Sequence, residues 1–302
     1  MPAPLDLPDG YTERPLTTAD AAAVTAVMAA QELHDVGEVV IEEADIVADW
    51  QRPGYDVPEH AVGVLQGDTL VAYSEHTYDD RGDAAVHPDH RGRGIGTQLA
   101  RWMQEKAREH GQGKVGMPVP QGSAGDQLLD ALGYHVRWES WVLQLPAGVS
   151  IPERPLPEGY VVRAAREEEW PEVWRVNEDA FLEWSVRERD TFEIWKSQTV
   201  LRPGFEPWQL RVVVDPSGAV VGMALLQLNG EGTCFIARLA VEQERRGLGL
   251  GQALLVDAFA VGREHGATVS ELSTDSRPGA LGLYEKVGMQ VTSTWVNRAV
   301  DL

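Results

Sequence analysis

The chain repeats itself, and that limits the folds open to it more than any other feature. Pro8-Asp9-Gly10-Tyr11 returns as Pro157-Glu158-Gly159-Tyr160, and Arg91-Gly92-Arg93-Gly94-Ile95-Gly96 returns as Arg246-Gly247-Leu248-Gly249-Leu250-Gly251. Glu109-His110-Gly111 is answered by Glu264-His265-Gly266, and Ala131-Leu132-Gly133-Tyr134 by Lys286-Val287-Gly288-Met289. The first pair is 149 residues apart and the later three 155, so the second copy carries about six extra residues ahead of its glycine motif. Solenoid repeats are far shorter. A period near 150 in a chain of 302 residues predicts two tandem domains instead. They are expected at residues 1–145 and 158–302, with a proline-rich linker over 146–157 that lacks apolar periodicity.

Within each copy the same order of elements is legible. A short strand at Tyr11–Arg14 or Tyr160–Arg163 leads into helical stretches near 18–50 and 166–200. Strands follow at about 60–66 and 69–77, matched by 209–215 and 219–228, with turns at Gly67-Asp68 and Asp215–Gly218. A further strand ends at Val86 or Val241, the glycine motif comes next, and an apolar-faced helix runs over 97–109 or 252–264 to a closing His-Gly. Strands interleaved with helices predict an α/β class, each domain a mixed central sheet flanked by helices.

Charge narrows the partners. With 26 basic and 47 acidic residues the formal net is −21, a field that repels phosphate polymers and anionic membranes. Nucleic acid and membrane are therefore not expected as partners. A small-molecule ligand is, and the sequence leaves room for a homodimer. No apolar run approaches the roughly 20 residues a bilayer helix needs, and the first residues have no basic run leading into an apolar core, so a cytoplasmic protein is expected. The single cysteine, Cys234, fits a reducing compartment and rules out a Cys-rich zinc site, and no metal is expected. In its strand context Cys234 reads as a small buried residue, not a nucleophile.

The glycine motif carries the chemistry. A strand, then Arg-x-x-Gly-x-Gly, then a helix start turns several backbone N–H groups into one concavity and adds the positive end of a helix dipole, an arrangement that captures anions such as a pyrophosphate. The chain has no Gly-x-x-x-x-Gly-Lys-Ser/Thr, which excludes a nucleotide triphosphatase loop, and neither copy has the Gly-x-Gly-x-x-Gly of a dinucleotide fold. In both copies the motif stands 42 residues ahead of a later glycine, from 91 to 133 and from 246 to 288.

Val86-His-Pro-Asp-His-Arg-Gly-Arg-Gly-Ile-Gly-Thr97 and Val241-Glu-Gln-Glu-Arg-Arg-Gly-Leu-Gly-Leu-Gly251 resemble the acyl-CoA pyrophosphate loop of the GNAT superfamily of N-acetyltransferases. Ala280–Met289 is similar to that family's late Leu-Tyr-Glu-Lys-x-Gly-Phe helix. The resemblance covers nearly the whole chain as two tandem domains. With Arg202-Pro-Gly-Phe-Glu-Pro-Trp208, the tandem arrangement also resembles the mycothiol synthase branch of actinobacteria. It implies acetyl-CoA as cosubstrate, held by Val86, Arg91, Gly92, Gly94, Gly96 and Thr97 in the first copy and by Leu239, Val241, Arg246, Gly247, Gly249 and Gly251 in the second. It further implies direct transfer of acetyl to an amine between two splayed strands, with oxyanion donors near Leu239 to Val241.

By the same resemblance Tyr284, four residues before Gly288, is the acid that protonates the departing thiolate. Its first-copy counterpart is Leu129, which cannot donate a proton, so the second domain is the expected catalyst and the first an acyl-CoA binder or scaffold. The family's strand carboxylate falls on Phe235 in the second copy and on Asp80 in the first. A base in the second copy would have to be Glu231, Glu271, Asp275 or solvent, and Arg277 stands where the family often has Asn. A first domain working through Asp80, with water or Tyr134 as acid, is an open alternative. So is a non-catalytic acyl-CoA sensor or interaction protein.

On the acceptor side the second copy concentrates Trp170, Trp174, Trp184, Trp195 and Trp208 with Phe181, Phe192 and Phe205. Helical spacing reads as core, and an aromatic pocket for a cation is the sharper hypothesis. Residues 32–49 of the first copy hold seven carboxylates and no Lys or Arg, either a solvated face or an attractor for a cationic amine.

Overall fold

The computed structural model describes residues 3–77, 80–277 and 279–302. The first copy runs β1 (Tyr11–Pro15), α1 (Ala21–Asp35), α2 (Glu43–Trp50), α3 (Val57–His60), β2 (Ala61–Gln66), β3 (Thr69–His76), β4 (Gly82–Val86), α4 (Ile95–Glu109), β5 (Lys114–Pro120), α5 (Ala124–Ala131) and β6 (His135–Leu145). The second runs β7 (Val161–Ala164), α6 (Trp170–Leu182), α7 (Phe192–Gln198), β8 (Leu210–Val214), β9 (Val220–Leu228), β10 (Thr233–Val241), α8 (Leu250–Glu264), β11 (Val269–Asp275), α9 (Leu281–Lys286) and β12 (Gln290–Asp301). The orders correspond, with α3 replaced by a single 3-10 turn at Pro207–Gln209. The chain adopts the α/β class its sequence predicts, mixed sheets flanked by helices.

Compactness divides the chain at other places than the repeat does. One unit is Met1–Ser140 with Ser293–Leu302, and the other is Trp141–Thr292. In the first, β1 to β4 form an antiparallel sheet. Successive side chains of a strand face opposite ways. On β3, Ala72 packs with Ile95, Leu99 and Met103 of α4, while Tyr73 packs with Val24 and Val27 of α1. In the second unit β9 does the same. Ala224 and Leu226 meet Leu250, Leu254 and Phe259 of α8, and Met223 and Leu225 meet Val173 and Val176 of α6. Burial on both faces explains why β9 reads Val-Val-Gly-Met-Ala-Leu-Leu without a polar break.

The end of β12 completes the first unit. Trp295 to Asp301 run antiparallel to β5, from Trp295↔Pro120 to Asp301↔Lys114, and Val296 is buried among Val115, Met117 and Val119. Gly116 permits the approach, because a Cβ there would lie 2.3 Å from the Arg298 carbonyl oxygen. Arg298 then ties to Asp126 at 2.5 Å and Asp130 at 2.7 Å at the ends of α5. The end of β6 likewise serves the second unit, where Leu143 is wholly buried in the core. The 146–157 segment follows it there, with Ile151 in the same core.

Each unit contains a pair of parallel strands that part. β10 runs beside β11 from Thr233↔Val269 to Ile236↔Leu272. Its register against β9 then shifts between Ile236 and Arg238, and the pairing with β9 continues to Val241↔Gly222. A bulge of this kind re-aims a strand. In the first unit β4 and β5 meet at the Arg81–Gly116 bridge and through Gly116 N–H on Asp80 O at 2.9 Å.

Candidate active site

Both glycine turns leave the strand that parts from its neighbour and open the following helix. Gly92 and Gly94 have φ of +73° and +83°, and Gly247 and Gly249 have +78° and +84°, a left-handed backbone that an L side chain would strain. Gly94 and Gly249 are the N-cap residues of α4 and α8, so the first N–H groups of both helices face away from the helix body toward the turn. A Cβ on Gly92, Gly94 or Gly247 would meet no atom within 4 Å, which leaves the concave faces open for an anion. Gly96 and Gly251 sit in the first helical turns; a Cβ on Gly96 would press on Leu128 at 2.9 Å. Thr97 follows, half-buried.

At Gly249 a Cβ would lie 2.7 Å from Arg154 Cδ, and the Arg154 guanidinium donates to Gly247 O at 3.2 Å. Gln252 of α8 donates to Pro152 O. The 146–157 segment therefore lies along the second glycine turn, with Arg154 at its lip.

Arg91 and Arg246 hold these turns in place from the side. Arg91 donates to Val86 O at 3.3 Å and to both carboxylate oxygens of Asp35 at 2.7 and 2.8 Å. Arg246 donates to Val241 O at 3.2 Å and to both oxygens of Glu183 at 2.6 Å. Paired forks of this kind are geometrically specific. These contacts tie the side chains to the preceding strand and to a carboxylate on the neighbouring helix end. The Val86 N–H donates to Gln31 Oε1 at 3.2 Å, whereas Leu239 and Val241 are half-buried on β10 beyond the bulge.

Tyr284 lies on α9, 8% exposed, in the core cluster against which Leu239 and Val241 pack. Burial pushes its hydroxyl up to about 12, so it holds its proton at neutral pH. Leu129 is buried at the matching place in the first unit. The first-copy alternatives are engaged elsewhere: Asp80 is paired with Arg137 at 2.8 Å, and the Tyr134 hydroxyl accepts from Gln104 Nε2 at 3.2 Å. Among the second-copy carboxylates, Glu231 lies exposed in a turn, buried Glu271 accepts from Gln144 Nε2 at 2.8 Å, and Asp275 accepts from Arg277 at 2.5 Å. Phe235 is half-buried on β10. Cys234 is fully buried and its thiol is pushed up to about 12, which makes it inert.

The second-copy aromatics mostly build core. Trp170, Trp174, Phe181, Phe192 and Phe205 pack around the buried Trp195, and Trp208 stacks on His265 at 3.8 Å. Phe181 and Trp184 also take the guanidinium groups of Arg238 and Arg246 over their rings, at 5.5 and 5.7 Å. Two of the 32–49 carboxylates are occupied in the same way: Glu32 accepts the Val40 and Ile41 N–H groups at 2.7 and 3.0 Å, and Asp35 holds Arg91.

Residues 29–121 and 166–289, together well over half of the chain, match the family described as Acetyltransferase (GNAT) family. The chain belongs to that family. It is an acyltransferase of tandem GNAT architecture. A mycothiol acetyltransferase of Salinispora arenicola is 29% identical over 250 residues, covering 78% of each chain. Among solved structures, a GCN5-related N-acetyltransferase from Sphaerobacter thermophilus is 28% identical with a TM-score of 0.73, covering 98% of this chain and 96% of that one. A tandem GNAT protein from the clavulanic acid biosynthesis pathway shares the fold at 18% identity, with a TM-score of 0.73 over 96% of this chain and 98% of its own.

Two features of this GNAT chain were not read from its sequence. Glu75 and Asp83 face each other across β3 and β4, and Glu75 accepts from Trp50 Nε1 at 2.8 Å and Tyr55 OH at 3.2 Å. Aligning the copies by strand pairing would have flagged the pair, because Leu225 and Arg238 stand opposite each other at the same register. The second feature is a gathering of His60, His76 and His110, for which sequence spacing offers no signal.

Proposed function

We propose that the second unit transfers the acetyl group of acetyl-CoA to the amine of a small molecule, while the first binds acyl-CoA or serves as scaffold. The observation that carries this reading is that Tyr284 occurs in the unit whose parted strands lead into the Gly247–Gly249 turn, whereas its counterpart Leu129 has no proton to give.

The pyrophosphate would rest on the N–H groups of the turn and the first turn of α8, steadied by a positive dipole end. Arg154 adds a positive charge at that lip. The thioester would then lie between β10 and β11. Attack by the amine nitrogen on the carbonyl carbon forms the C–N bond and puts charge on the carbonyl oxygen, which N–H groups near Leu239 to Val241 would receive. Collapse breaks the C–S bond, and Tyr284 O–H supplies the proton to the departing thiolate. With Asp275 held by Arg277 and Glu271 by Gln144, the ammonium proton passes to solvent before or during attack.

A small-molecule acceptor is supported by the relatives named mycothiol acetyltransferase. Their names put the acceptor of mycothiol acetylation first among the compounds to try. The test is thiol release from acetyl-CoA against a panel of small amines. Release that depends on one amine and yields its N-acetyl product supports the reading; binding of acetyl-CoA without release for any amine would replace it with that of an acyl-CoA sensor.

A further inference from the structure

We propose that His60, His76 and His110 form a divalent transition-metal site in the first unit. One nitrogen from each ring lies within 4.8 Å of the other two. The rings arrive from three elements: His60 ends α3, His76 ends β3 and His110 caps α4. His60 and His76 are wholly buried and His110 partly so.

The arrangement is organised for ligation. His60 Nδ1 donates to the His76 carbonyl oxygen at 2.8 Å, which puts the proton on Nδ1 and leaves Nε2 as the ligand atom. An N–H fixed on a backbone carbonyl is the outer-shell contact that orients metal-binding imidazoles. His76 Nδ1 stands 3.0 Å from His110 Nδ1, a separation that two nitrogens on one ion can adopt at about 2.0 to 2.1 Å each. Closing the widest pair to a tetrahedral edge of about 3.3 Å needs side-chain rotation of roughly 1.5 Å. Tyr55 stacks on His60 at 4.7 Å and fixes that ring from behind.

Charge around the rings permits a cation. Lys106 is the nearby positive group, and it is met by Glu59 at 2.8 Å and Glu109 at 3.3 Å. Glu59 also reaches to 3.9 Å of His110 Nε2, the ring nitrogen other than the one that faces His76.

The duplication supplies the control. By strand register and spacing, His60, His76 and His110 correspond to Gln209, Leu226 and His265. In the second unit Leu226 is ordinary core and His265 stacks on Trp208. The fold is thus satisfied without imidazole at two of the three places, and those two, His60 and His76, are the wholly buried ones.

The test uses the full chain, stripped with a chelator and titrated with Zn²⁺ or Co²⁺. We expect one ion per chain, visible ligand-field absorption of tetrahedral or five-coordinate Co²⁺, and a metal-dependent rise in the thermal midpoint. His60→Gln and His76→Leu, which install the residues the second unit already carries, should each weaken binding by more than about 100-fold, while His265→Gln leaves it unchanged. No stoichiometric binding to the wild-type chain would overturn the site, as would binding that survives both substitutions. These readouts are independent of acetyl transfer, so the site and the proposed reaction stand or fall separately.

Discussion

Arg246 and Glu183 form a two-point ion pair at 2.6 Å that ties the second glycine turn to the end of α6, and Arg91 and Asp35 repeat it in the first copy. The pair is part-exposed, so its worth to global stability is about 1 kcal/mol or less. Its effect should fall on the turn. Glu183→Gln is expected to raise KM for acetyl-CoA a few-fold with little change in kcat or Tm, whereas Asp35→Asn should leave turnover untouched. Steady-state kinetics of both variants check this; equal effects would mean the two turns share one reaction.

The left-handed glycines offer a way to assign activity to one unit. Any side chain at Gly94 or Gly249 takes on a backbone cost of about 1 to 2 kcal/mol, and a glutamate also places negative charge where an anion is expected. Gly249→Glu should abolish thiol release while leaving the first turn able to bind acyl-CoA. Gly94→Glu should spare thiol release and remove only that first site. Binding stoichiometry by calorimetry, read beside the rate, separates the two.

Glu75 gives the fold a pH dependence of unusual sign. Burial pushes its carboxyl up to about 7, against the hydrogen bond from Trp50. The unfolded chain releases this proton near the ordinary carboxyl value, so the folded state holds more protons between about pH 4.5 and 7 and loses stability as pH rises through that window. Glu75→Gln, whose amide oxygen can still accept from Trp50, should therefore stabilise the protein at pH 8 by about 2 to 3 kcal/mol and flatten the slope. Denaturant unfolding at pH 5 and pH 8 measures it; a variant less stable at both would show that the charge is compensated.

Much of this was legible in the sequence because it is local. The repeat, the element order and the helix starts at Gly94 and Gly249 follow from residues near one another. So does the asymmetry between Leu129 and Tyr284, once the copies are laid side by side. The ends of β6 and β12 were not legible: an alternating strand reads the same whichever sheet it joins, and only Gly116 hints at the close neighbour. The partners of Arg91 and Arg246 lie 56 and 63 residues away, and the three histidines are separated by 16 and 34, beyond any local pattern. The helical spacing of the tryptophans reads as core before it reads as pocket, and most of them are core.

The central claim is that Tyr284 protonates the leaving thiolate in the second unit. Its most direct test is the rate of thiol release by Tyr284→Phe, with acetyl-CoA and the acceptor amine both varied. The account predicts a loss of about 10² to 10⁴ in kcat with KM for acetyl-CoA nearly unchanged. It also predicts no alkaline limb from this group below about pH 10, since its hydroxyl is raised to about 12. A Tyr284→Phe protein that turns over at the wild-type rate would contradict it.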